Sequence, residues 1–185
     1  LTVRRHDVTC VVTERSADAL REHGIRYRTA FFGEGVIKPD VVTHLTTFPQ
    51  VLLITVKSSD LPAALERISG VSKNTTAVSL QNGIGHLSLI REKLSAPVIL
   101  GTIGNLEAYR DHDGTVVSDS KHPHIELSST GGYVETVSRL FSDAGIDVAV
   151  FSREEEVVWR KLSRLGPLAA VTAASRMDLG GVRKD

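Results

Sequence analysis

Val51-Leu52-Leu53-Ile54-Thr55-Val56 is followed by Ser58-Ser59-Asp60 and then by the amphipathic stretch Leu61 to Ile68. An apolar run on both faces fits a strand covered by helices on each side. The Ser-Ser-Asp cluster supplies side-chain oxygens suited to a helix N-cap. The alternation then repeats: Thr76 to Leu80 reads as a strand, Leu87 to Leu94 as a helix, and Val98-Ile99-Leu100 as a short buried strand. Strand and helix alternating at this spacing argue for an α/β protein with a parallel, doubly wound sheet.

Toward the N-terminus, Val8 to Val12 is a β-branched strand, and Ser16 to His23 has helical spacing that Gly24 is placed to stop. Ile25 to Thr47 alternates loosely, with a turn expected at Gly33-Glu34-Gly35. Toward the C-terminus, Ile103 to Tyr109, Thr115 to Ser118 and His124 to Leu127 read as antiparallel strands. Val134 to Ala144 is a helix closed by Gly145, and Val148 to Phe151 a last strand. Ser152 and Glu154-Glu155-Glu156 open a long helix, since carboxylates suit the positive end of its dipole. It is expected to bend at Gly166-Pro167 and run to about Ala174. Leu1 leads almost at once into a strand, and Arg183-Lys184-Asp185 follow a helical pattern directly, so both ends read as cut.

Lys plus Arg number 22 and Asp plus Glu number 22, with no basic block, which argues against a nucleic-acid binder. The apolar runs are too short to cross a membrane, and no signal peptide is visible, so the chain reads as cytoplasmic. The single Cys10 excludes an internal disulfide and reads as a buried small hydrophobe. His86, His112, His122 and His124 show no metal-ligand spacing with a carboxylate or thiol, so no metal site is expected. A dinucleotide fold normally carries Gly-x-Gly-x-x-Gly after its first strand, because the pyrophosphate must approach backbone. Gly33-x-Gly35 lacks the third glycine, and Gly83-Ile84-Gly85 reaches Ser88 instead. Both read as turns, the second at the ligand-bearing edge of the sheet.

Several segments together resemble one family. Asp7 to Val12 is similar to the second strand of ketopantoate reductases, with Arg5 where a glycine usually precedes His6. Thr55-Val56-Lys57 resembles the family's strand-end lysine motif, and Leu80-Gln81-Asn82-Gly83 its Leu-Gln-Asn-Gly signature. Trp159-Arg160-Lys161-Leu162 resembles the Trp-x-Lys-Leu motif that opens the family's second domain.

The resemblance implies a Rossmann-like domain without its first strand and glycine loop, spanning 1–151, and the start of an all-helical domain at 152–185. It implies reduction of ketopantoate to pantoate with NADPH, or of another small-molecule 2-oxo acid, and a chain inactive by itself. Lys161 would then be catalytic, polarising the carbonyl and supplying its proton. Lys57, Asn82, Gly83 and Ala108 would bind the cofactor. Family members often carry asparagines four and eight residues past the lysine, where Leu165 and Ala169 stand here. Thr13 replaces the arginine that often grips the 2′-phosphate, with Arg15 two residues on. A homodimer is compatible with the resemblance, and the alternative reading is a non-catalytic remnant serving as an interaction module.

Overall fold

The computed structural model describes residues 6–130 and 132–184. Arg5, at the family's glycine position, and the terminal Leu1 and Asp185 lie outside the described residues. The strands are β1 (Thr9–Val11), β2 (Ile25–Thr29), β3 (Gly33–Ile37), β4 (Asp40–Val42), β5 (Val51–Ile54), β6 (Thr76–Ser79), β7 (Val98–Gly104), β8 (Tyr109–Arg110), β9 (Val116–Ser118), β10 (His124–Ser128) and β11 (Asp147–Phe151). The helices are α1 (Glu14–His23), α2 (Leu61–Arg67), α3 (His86–Lys93), α4 (Val134–Asp143), α5 (Glu154–Ser175) and α6 (Leu179–Val182).

The main sheet has the order β11-β10-β7-β6-β5. β5, β6 and β7 are parallel, with Val51 opposite Thr76 and Ala77 opposite Val98, as the alternation of strands and helices predicts. β10 runs antiparallel to β7, and β11 parallel to β10, so the sheet is mixed at that end. Side chains alternate across it. Ala77 joins Leu52, Ile54, Leu61, Leu65 and Ile90 in a core beneath α2 and α3. Val78 joins Ile99, Leu127, Val137 and Phe141 in a second core beneath α4. β1 pairs in parallel with β4 as a separate two-stranded sheet, and β3-β2-β9-β8 forms the antiparallel-rich annex. Val11 of β1 packs against the first core.

Glycines end the helices as expected. The Gly24 N–H donates to Leu20 O at 2.9 Å, with φ at +68°. Two local expectations change. The turn lies at 30–32, and Gly33-Glu34-Gly35 begins β3; a Cβ on Gly35 would crowd the Tyr27 ring on the paired strand. β7 is one strand to Gly104 because β6 and β10 pair with it on either side. It stops where Asn105 turns left-handed (φ +54°), so Ile103 and Tyr109 do not share a strand. α5 continues past Gly166-Pro167 to Ser175, with Pro167 in its interior, where the ring removes one backbone donor and crowds the carbonyl four residues earlier.

Candidate functional site

α5 brings the central lysine to the sheet. Its acidic first turn is fastened by Glu154, which accepts from Arg91 of α3 and from Thr130 Oγ1 at 3.1 Å. One turn later the Arg160 guanidinium donates to Glu126 Oε1 of β10 at 3.0 Å and stacks over the Phe151 ring. These contacts point the next residue inward: Lys161 Nζ donates to the Ile103 carbonyl, at the carboxyl end of β7, at 2.9 Å. Lys161 is half-buried. Burial depresses its pKa, Arg164 depresses it further, and Glu126 opposes both. An ammonium has three donors, so two remain for a ligand.

Lys161 and Thr102 are shared by two clefts. One, of about 200 Å³, is lined by polar groups that include His124, Glu126, Arg160 and Arg164. His124 Nδ1 lies 3.0 Å from Asp147 Oδ2, and Arg160 is held by Glu126, whereas Arg164 makes no ion pair with a carboxylate among the described residues. The other cleft, of about 240 Å³, has Gln81, Asn82 and Gly83 on the strand side. Its helix side carries Val158, Leu162, Leu165 and Ala169, one apolar stripe of α5.

The structure thus brings Lys161, Asn82 and Gly83 to one cleft. Gly83 has φ +92°, and no atom of the described residues lies within 4 Å of a would-be Cβ, so its backbone is open to a ligand. Gln81 is buried; its Nε2 donates to Val56 O at 2.6 Å while its Oε1 has no hydrogen-bond partner among the described residues. Lys57, exposed after β5, and Ala108, exposed between β7 and β8, line neither cleft. Trp159, 65% exposed, lines neither. Sequence reading missed Gln81, Thr102 and Arg164. Gln81 sits inside the quoted signature, but nothing in the sequence marks Thr102 or Arg164 as neighbours of Lys161. The half-buried Cys10 has its thiol pKa pushed up by burial. Among the described residues, no three His, Cys, Asp or Glu side chains are grouped to hold a metal ion.

A parallel α/β layer with a semi-buried lysine and a glycine turn at its carboxyl edge defines the class of nucleotide-binding α/β proteins, which seat ligands at that edge. The sequence profile of the ketopantoate reductase PanE/ApbA family matches residues 1–131. The chain belongs to that family of oxidoreductases. It is 25% identical over 181 residues to the 2-dehydropantoate 2-reductase of Halobacterium salinarum, and 27% identical over 176 residues to that of Pyrococcus horikoshii. These matches take in 88% and 89% of this chain but 55% and 56% of the relatives, so the chain spans about half their length. A D-mandelate dehydrogenase solved with NADH and anilino(oxo)acetate shares the fold, with a TM-score of 0.80 and 18% identity over 91% of this chain and 57% of that one. No described helix is long and apolar enough to cross a membrane.

Proposed function

We propose that the protein containing this chain is an NADPH-dependent reductase of 2-oxo acids, with conversion of ketopantoate to pantoate as the reference reaction. The observation that carries the proposal is the half-buried Lys161 ammonium, held by the Ile103 carbonyl where two clefts meet at the carboxyl edge of the sheet. Both curated relatives bear the 2-dehydropantoate 2-reductase name. A nicotinamide fits this edge in part: Gly83 leaves its backbone open, and Gln81 Oε1 is a buried acceptor without a donor among the described residues. No Gly-x-Gly-x-x-Gly cradle for the pyrophosphate occurs in the 185 residues. Asn82 and Gly83 would hold the nicotinamide end, with Lys57 and Ala108 farther along the cofactor.

When bound, a reduced nicotinamide supplies the hydride for the carbonyl carbon. Lys161 donates a hydrogen bond to the carbonyl oxygen, stabilises the charge that develops there, and passes its proton to the alkoxide. The division at 151/152 follows from the same reading, with α5 as both the last wall of the first domain and the opening of a helical one. In the complete protein, Lys161→Met should lower kcat by at least about 100-fold, the usual scale of general acid catalysis, while NADPH affinity is kept. Near-normal turnover would remove Lys161 from the chemistry. The 185-residue chain by itself should oxidise no NADPH with ketopantoate.

A further inference from the structure

The two clefts differ in chemistry, and a 2-oxo acid differs in the same way on its two sides. Its carbonyl carbon joins a carboxylate to a side chain. With the carbonyl oxygen at Lys161, which lines both clefts, the two sides of the molecule can divide between the polar cleft and the cleft that carries the apolar stripe of α5. The polar cleft offers Arg164, a guanidinium without a carboxylate partner among the described residues. The other cleft has Gln81, Asn82 and Gly83 on its strand side, where the nicotinamide end would lie, and Val158, Leu162, Leu165 and Ala169 on its helix side, none of which can accept or donate through its side chain. An ionised carboxylate against that helix side would lose water without gaining a partner there, so it belongs with Arg164.

Resting on the reductase reading, we propose that the substrate is a 2-oxo acid with an unfunctionalised apolar side chain, whose carboxylate is gripped by Arg164 and whose side chain lies along Leu162, Leu165 and Ala169. A hydroxyl on that side chain would meet apolar surface on the helix side. The rule for such pockets is asymmetric. A site built to hydrogen-bond a hydroxyl rejects the analogue lacking it by about 10⁴-fold or more, whereas an apolar pocket rejects an added hydroxyl by only about 100-fold.

The test compares ketopantoate with trimethylpyruvate, the same acid without its terminal hydroxyl, on the complete protein with NADPH. The expected kcat/KM for trimethylpyruvate equals that for ketopantoate or exceeds it, by up to about 100-fold. Leu165→Asn should move the ratio about tenfold toward ketopantoate, the value of one net hydrogen bond, and Arg164→Met should raise KM for both acids. Preference for ketopantoate in the unaltered protein would overturn the side-chain assignment and leave the reductase reading standing. If neither acid is reduced, the reductase reading falls and this inference with it.

Discussion

Lys161 is one residue in which burial, charge and hydrogen bonding compete. Burial and Arg164 favour its neutral form, while Glu126 favours the ammonium. A lysine that donates a proton must be charged, so activity is present below its folded pKa and lost as pH rises through it. That alkaline limb should lie below the range of an ordinary lysine, because burial leads the shift. Arg164→Met should move the limb to higher pH, and Glu126→Gln to lower pH, in profiles of kcat/KM; a limb fixed in both variants would assign it to another group. At this scale the sequence is legible only by likeness. Lys161, Asn82 and Gly83 are marked by motifs, and the fold brings them together. Arg164 carries no mark, because its role depends on which side of α5 meets β7, and a helical period alone does not name the partner of each face.

At the scale of elements, strands buried on both faces and glycine-stopped helices were readable, since apolar runs and left-handed turns leave direct traces in composition. Gly24 makes the point in physical terms. A Cβ there would lie 2.4 Å from the Ile37 carbonyl oxygen of β3, besides occupying φ +68°. Gly24→Ala should therefore destabilise the protein by more than about 1 kcal/mol, read as a lowered Tm, and an unchanged Tm would contradict the cap geometry. The misplaced turn before β3 and the end of β7 at Asn105 were not readable. The first depends on the register of the β2-β3 hairpin, which sets Tyr27 against Gly35, and the second on pairing with a strand remote in sequence, which sets Gly104 against His124.

At the scale of the molecule, the two cores and the parallel order β5-β6-β7 followed from alternation, but the placement of β1-β4 as a separate sheet did not. β5 is apolar on both faces, as interior strands are, yet it pairs with β6 alone among the described residues. Gln50 and Ile54 carbonyls accept from Thr76 and Leu80. The N–H and C=O groups of Val51 and Leu53 therefore turn toward the other side, where no described strand meets them. In the 185-residue chain this row is a template for another copy. Sedimentation should show mass rising with concentration, and Leu53→Pro, which removes only an outward donor from the ladder, should suppress the rise; a monomer at all concentrations would show the row to be covered. The handling of the chain follows from this. Its shelf life in solution would be set less by how well its cores are packed than by how quickly a neighbouring molecule finds that open row.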